Sequence, residues 1–263
     1  MSDLFDHAGE GQDAHAGVRP LADRLRPASL ADVVGQDHLL GPEGPIGAML
    51  AAGALSSLIL WGPPGVGKTT IARLLADGRD LHFEQVSAIF TGVPDLRKVF
   101  EAARLRKRQG RGTLLFVDEI HRFNRAQQDG FLPHMEDGTI VLVGATTENP
   151  SFELNAALLS RAQVVVLNRL TPADLERLAQ RAEKAAGRAL PLDPQAREAL
   201  LTMADGDGRA LLNLIEQVLA WTLGAPLDTE ALSTRLMRRA AKYDKSGEEH
   251  YNLISALHKS VRG

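Results

Sequence analysis

Cysteine is missing from all 263 residues, which excludes disulfides, thiolate zinc sites and cysteine nucleophiles and fits the reducing cytoplasm. Aromatic residues make up only 5% of the chain, with two Trp and two Tyr, too few for an extended base-stacking platform. No excess of one charge stands out either. Thirty Lys and Arg against 33 Asp and Glu give a net −3, so no global positive field draws the chain to nucleic acid or lipid, and any nucleic-acid contact must be local. The longest strongly apolar runs, such as Leu114 to Val117 and Val164 to Leu167, are strand-sized, far short of the roughly 20 residues of a membrane-spanning helix. The opening Met1-Ser-Asp-Leu-Phe-Asp-His lacks a basic n-region and an apolar h-region, so it does not read as a secretory signal.

What is present is an ordinary globular balance, 44% hydrophobic and 24% charged, over a length that suits two domains. Met1 to Gly17 carries Gly, Asp and His with only Leu4 and Phe5 bulky, so a flexible tail is expected there. Between Val18 and Leu170 the runs Leu58 to Trp61, Thr113 to Val117, Ile140 to Val143 and Val164 to Leu167 are continuously apolar, as central parallel strands buried on both faces should be. The predicted core is an α/β parallel sheet sandwiched by helices. Beyond Leu170 the strand signals stop. Thr171-Pro-Ala-Asp174 is a capping box opening a helix toward Ala186, and Asp193-Pro194 repeats the cap-then-proline signature before Ala196 to Ala204. Leu211, Leu212, Ile215, Val218 and Leu219 form a third helical face, and Leu232, Leu236, Arg239 and Ala240 a weaker fourth. The expected organisation is a core over 18–170, a small all-helical lid over 171–242 and the start of a further helical region over 243–263. Tyr251, Ile254, Leu257 and Val261 line a face that nothing after Gly263 covers, so the chain reads as shortened.

The chemistry is concentrated at the strand ends. Gly62-Pro63-Pro64-Gly65-Val66-Gly67-Lys68-Thr69, running on into Thr70, follows an apolar strand and precedes a helical pattern, the context a P-loop requires. Gly65 and Gly67 let backbone N–H groups turn inward on a polyphosphate, and the helix N-terminus adds its partial positive charge. Lys68 is placed to meet the β- and γ-phosphates of ATP, and Thr69 to put its hydroxyl on Mg²⁺. Further on, the run ending at Val117 delivers Asp118-Glu119 where ligands of open α/β sheets bind. This pair reads as a Walker B site: Asp118 supports Mg²⁺, and Glu119 polarises the attacking water, which separates an ATPase from a passive nucleotide switch. His121 and Phe123 beside it are expected to pack around the pair.

These motifs do not stand alone. Arg24-Leu-Arg-Pro27, Val34-Gly35-Gln36, Phe116-Val-Asp-Glu-Ile-His-Arg-Phe-Asn124, Phe131-Leu-Pro-His134, Gly144-Ala-Thr-Thr-Glu-Asn-Pro150, Leu158-Leu-Ser-Arg161 and Gly206-Asp-Gly-Arg209 closely resemble the replication-associated recombination protein A family. These are AAA+ ATPases related to clamp loaders and to the Holliday-junction motor, and the resemblance covers almost everything after the tail. It implies that Arg24 to Pro27 and Val33 to Gln36 pack around adenine. Thr146 matches the sensor-1 position that orients the lytic water, Arg161 the arginine finger that reaches a neighbouring subunit, and Arg209 the sensor-2 arginine of the lid. Ala210 stands where many relatives carry a second arginine. The resemblance also implies tetramers, formed through a helical domain that follows the stretch matching Leu253 to Gly263.

The implied activity is Mg-ATP-driven remodelling of DNA at stalled forks, gaps or duplex ends, in the cytoplasm and on the nucleoid. Two other readings are a clamp-loader-type subunit and an ATP-switched scaffold for replication proteins. Phe131 to His134 and Thr147 to Pro150 look unlike loaders, and intact Lys68, Asp118 and Glu119 argue against a dead site. Two basic runs are candidates for backbone contact with forked, gapped or single-stranded DNA: Arg104, Arg106, Lys107, Arg108 and Arg111, and Arg235, Arg238, Arg239, Lys242 and Lys245. The first reads equally well as a helix end complementing its dipole. Single-strand binding protein and the sliding clamp are candidate partners; Ser2-Asp-Leu-Phe5 faintly resembles the end of a clamp-binding peptide.

Overall fold

The computed structural model describes residues 19–221 and 225–243, with side chains as far as Met237 in the last helix. The expected tail and the region from 244 onward lie outside the described residues. Strands β1 (Leu58–Trp61), β2 (His82–Ser87), β3 (Thr113–Asp118), β4 (Val141–Thr146) and β5 (Gln163–Val166) form one sheet in the order β2-β3-β4-β1-β5. Every pairing is parallel. In register, Trp61 stands beside Thr146 and Val166, and Ser87 beside Asp118, so the carboxyl ends of the strands share one edge.

Successive side chains of a strand point to opposite faces, and the sheet is covered on both. Leu58, Leu60, Leu114, Phe116, Val143 and Ala145 pack with Ile71, Ala72 and Leu75 of the helix Lys68–Asp77. Ile59, Leu115, Val117 and Leu142 pack on the other side with Leu96, Phe100 and Ala103 of the helix Val93–Arg108. This is why β1, β3 and β4 read as unbroken apolar runs.

The edge strands differ from the sequence reading. β5 was expected to be buried on both faces, but Val164 and Val166 are 40% and 45% exposed while Val165 between them is buried, because only one face of this edge strand is covered. β2 was not predicted at all. Its His-Phe-Glu-Gln-Val-Ser sequence buries only Val86 fully, and its pairing with β3 is made by backbone groups that any sequence supplies.

Beyond Leu170 the described residues form the helices Pro172–Ala186, Pro194–Met203, Gly208–Leu219 and Thr229–Tyr243. Thr171 and Asp174 close a reciprocal capping box, and Asp193 and Asp207 cap the next two helices by accepting from Ala196 N and Ala210 N. One parallel bridge, Leu192 with Leu227, adds strand pairing that the sequence did not announce. The four helices surround Leu175, Ala179, Leu200, Leu211, Ile215 and Leu232.

The amino-terminal segment joins that lid cluster and not the sheet core with which the sequence reading grouped it. Leu21 is 3% exposed within the lid cluster, with Ala22 and Leu25 against it, and its N–H donates to Glu216 Oε1 at 2.8 Å. The chain therefore leaves the lid through 26–32 and returns to it through 168–171. These two crossings are tied to their surroundings. Arg181 donates to Asp32 O at 2.6 Å, and the Gln36 side chain both donates to Asn168 O at 2.8 Å and accepts from Asn168 N at 3.1 Å.

Candidate active site

The loop after β1 turns sharply because Gly65 and Gly67 take φ of 68° and 102°, values L-residues with side chains rarely adopt. Gly67 is the N-cap of the helix Lys68–Asp77, so the first amide groups of that helix face the loop's interior. Lys68 Nζ donates to Gly62 O at 2.7 Å and Pro63 O at 2.8 Å, folding the ammonium back over the loop where phosphate oxygens can take the place of those carbonyls. Burial holds the Lys68 ammonium below the usual lysine range, an effect opposed by Glu119, Asp118 and Asp207 and reinforced by Arg209. Lys68 and Arg209 thus stand among the carboxylates of Asp118, Glu119 and Asp207, the mixed charge that a site for a metal-bound polyphosphate requires.

Asp118 is the last residue of β3. Glu119, next in the chain, has φ 52° and ψ 47°, a left-handed conformation that costs a non-glycine residue about 1–2 kcal/mol. Such cost persists where the surrounding structure enforces it, commonly at functional positions. Here the enforced turn carries Glu119 away from the strand direction and toward the P-loop. His121 Nδ1 lies 3.3 Å from Glu119 Oε2 and 2.9 Å from Thr146 Oγ1.

Core and lid enclose a cavity of about 550 Å³ between them. Of the residues singled out in the sequence, Pro27, Val34, Pro64, Gly65, Val66, Gly67, Lys68, Thr69, Thr70, Asp118, Glu119 and Arg209 line it. Thr147, Leu178, Leu212 and Asn213 also line it and were not picked out as cavity residues; only the apolar helical spacing of Leu212 gave a hint. Leu25, Arg26 and Val33, from the two segments expected around adenine, line it as well, while Arg24, Gly35, Gln36, Gly62, Pro63, Thr146 and Arg161 fall outside the lining. Gln36 is fully buried and its amide is engaged by Asn168, so it fastens the crossing between core and lid and does not face a base. Gly35 stands beside it against Leu170 and Asp174, and Arg24 is exposed on the short helix Leu21–Arg24. Gly62 and Pro63 present carbonyls to Lys68. Thr146 is fully buried and accepts from Glu148 N at 3.0 Å; its neighbour Thr147 faces the cavity instead. Arg161 lies away from this cavity, its Nε donating to Glu136 Oε1 at 2.7 Å and its Nη1 to Ala157 O at 3.0 Å.

The donors available to a metal are the Thr69 hydroxyl and the Asp118 carboxylate, hard oxygens suited to Mg²⁺. Among the described residues no group of three or more His, Asp or Glu could hold an ion, so a metal here draws its remaining ligands from phosphate oxygens and water, as Mg²⁺ does in nucleotide sites. In the first basic run, Arg106 pairs with Glu84 at 3.0 Å, Arg111 approaches Asp80 at 3.9 Å and Lys107 donates to Asp137 O. The run ends the helix Val93–Arg108 ahead of β3, at the sheet edge opposite the cavity. Of the second run, Arg235 stacks its guanidinium over Trp221 at 5.7 Å; the side chains of Arg238, Arg239, Lys242 and Lys245 lie outside the described residues.

A P-loop after β1 and a Walker B pair at the end of β3, separated by β4 in a β2-β3-β4-β1-β5 parallel sheet, and a helical lid contributing an arginine together define an AAA+ ATPase. Comparison with known proteins agrees. Residues 58–170 match the ATPase family associated with various cellular activities (AAA), and residues 186–262 match the AAA C-terminal domain. The chain is 46% identical over 255 residues to replication-associated recombination protein A of Escherichia coli and 48% identical over 253 residues to that of Coxiella burnetii, in each case covering 93% of this chain and 57% of the relative. The solved structure of the Thermotoga maritima RuvB Holliday junction branch migration motor superposes with a TM-score of 0.63 at 27% identity, covering 81% of this chain and 72% of that one. The chain belongs to the replication-associated recombination protein A family of AAA+ ATPases and spans a little over half the length of the curated relatives it matches. No described helix is long and apolar enough to cross a membrane.

Proposed function

We propose that the protein hydrolyses Mg-ATP to remodel DNA at stalled forks, gaps or duplex ends in replication-associated recombination, in the cytoplasm and on the nucleoid. The observation that carries this reading is the convergence of Lys68, Thr69, Asp118 and Glu119 from the sheet edge with Arg209 from the lid around one cavity. In this reading the loop amides and Lys68 bind the phosphates, and Thr69 with Asp118 hold Mg²⁺. The metal supplies neutralisation of the charge on the phosphate oxygens. Glu119 accepts a hydrogen bond from the attacking water and draws off its proton, while Arg209 gives the lid a contact with the nucleotide. Arg161, remote from its own chain's cavity, serves a neighbouring protomer, where an added arginine meets charge that grows in the transition state.

DNA is met through its backbone, since neither basic run is interleaved with aromatics. Exposed Arg104 and Arg108, which cap no ion pair described above, are the first candidates in the Val93–Arg108 helix. Self-association and contacts with single-strand binding protein or the sliding clamp complete the proposal. The test is ATP turnover measured with single-stranded, gapped, forked and fully duplex DNA across a salt series. Stimulation that differs among the DNA forms and fades with salt is expected; turnover indifferent to all of them would leave an ATP-controlled protein scaffold as the better reading.

A further inference from the structure

His121 belongs to the segment after the Walker B pair and has no role in the function proposed above. Its side chain is 7% exposed, yet it sits between two functional positions. Its Nδ1 lies 3.3 Å from Glu119 Oε2, and because a carboxylate can only accept, an Nδ1 that holds it carries the hydrogen. The same Nδ1 is 2.9 Å from Thr146 Oγ1. That hydroxyl accepts from Glu148 N at 3.0 Å and stands 3.2 Å from Glu148 O. One assignment satisfies every group: Thr146 donates to Glu148 O, accepts from Glu148 N–H and accepts from His121 Nδ1–H, which also faces Glu119 Oε2 at 3.3 Å. A hydroxyl has one hydrogen and two lone pairs, and all three are used.

We propose that His121 is a positioning residue for Glu119, tying its carboxylate to Thr146 at the end of β4 through this Nδ1–H. The inference rests on Glu119 being the group that polarises water. Its left-handed backbone sets the direction of the side chain's first bond only; the rotors beyond it are free unless something holds the carboxylate. His121 approaches it at 3.3 Å from a site shielded from solvent, where attraction to a charged group is little screened, while its hydrogen bond runs to Thr146 at 2.9 Å. Thr146 and Glu119 end adjacent strands, so the sensor-1 threonine reaches the water-polarising group through an imidazole, without facing the cavity itself. Misplacing a reacting group by about 1 Å can cost 100-fold in rate, which sets the scale of the effect.

The experiment compares the parent chain with His121→Ala, His121→Asn and Glu119→Gln, reading kcat and KM for ATP, binding of a fluorescent ATP analogue and thermal melting. His121→Ala should lower kcat about 10- to 100-fold while analogue affinity and melting temperature stay near the parent's. His121→Asn, whose amide nitrogen can take the place of Nδ1 and still donate, should recover most of the loss. Parent-like kcat in His121→Ala, or an Asn variant as slow as the Ala variant, overturns the proposal. Parent-like turnover in Glu119→Gln would instead overturn the reading of Glu119. A second measurement needs no turnover: nitrogen-15 imidazole spectra should show His121 with its hydrogen on Nδ1, shifting on Thr146→Val. A neutral ring with the hydrogen on Nε2 and a bare Nδ1 refutes the arrangement directly.

Discussion

Replacing Gly65 with alanine tests how the lid engages the P-loop. The φ of 68° at Gly65 costs an alanine about 1–2 kcal/mol. A Cβ added there would also overlap the Asp207 carboxylate. Asp207 cannot swing aside freely, because its Oδ1 accepts from Ala210 N at 2.8 Å and caps the lid helix Gly208–Leu219. Losing that cap costs about 1 kcal/mol, so Gly65→Ala should destabilise the protein by about 2–3 kcal/mol, the sum of the two. At about 2–4 °C per kcal/mol for a chain of this size, melting should fall by roughly 4–12 °C. Asp207→Gly alone should cost only a few tenths of a kcal/mol, since glycine is itself an acceptable cap. The double variant keeps the backbone strain but removes the clash, and should be more stable than Gly65→Ala by about 0.5–1 kcal/mol. Urea unfolding of the four proteins measures this coupling. If the two substitutions simply add, so that the double variant is the least stable, the lid does not press on Gly65 as described.

Glu119→Gln should keep ATP binding and lose turnover by at least 100-fold, whereas Lys68→Ala should lose binding itself, as seen by equilibrium titration with a fluorescent analogue. Arg161→Ala and Lys68→Ala chains should each be inactive yet regain partial turnover when mixed, because an intact Lys68 site can then meet a neighbour's Arg161; failure of the mixture at every concentration sinks the trans assignment. In the lid, Arg197 bonds Glu176 and Glu183 at 2.8–3.0 Å and holds both carboxyls below their usual range. A depressed carboxyl pKa gives stability that is present above the unfolded value and is lost as pH falls through the folded one. Arg197→Met should therefore cost about 1–3 kcal/mol at pH 7 and flatten the acid limb of the stability profile below about pH 5, measured by urea unfolding at stepped pH.

The parts of the site that the sequence disclosed are those whose chemistry is local. The P-loop, the Walker B pair and the Thr171–Asp174 capping box each need residues only a few positions apart, and each forms where its spacing indicated. Arg161 and Arg209 were recognisable only through resemblance, since a single arginine carries no spacing of its own. What stayed hidden depends on distant partners. Leu21 meets Glu216 across 195 positions and Gln36 meets Asn168 across 132, and no local pattern marks either pairing. β2 escaped because an edge strand with one fully buried side chain lacks both an apolar run and a clean alternation. His121 looked like packing because its partner Thr146 lies 25 residues on, at the end of another strand.

The double crossing between core and lid has a kinematic consequence. A body hung from one flexible linker can swing and twist in any direction, but one joined at two separated places can turn only about the line through both. The segments 26–32 and 168–171 are two such places, each pinned beside its crossing by Arg181 to Asp32 and by Gln36 to Asn168. A rotation of the lid about that line would carry Arg209 toward or away from Lys68. Along such a coordinate the width of the nucleotide cleft and the tilt of the lid would be the same variable, so a force applied to the lid's outer helices would reach the P-loop, which Gly208 N already meets at Gly65 O.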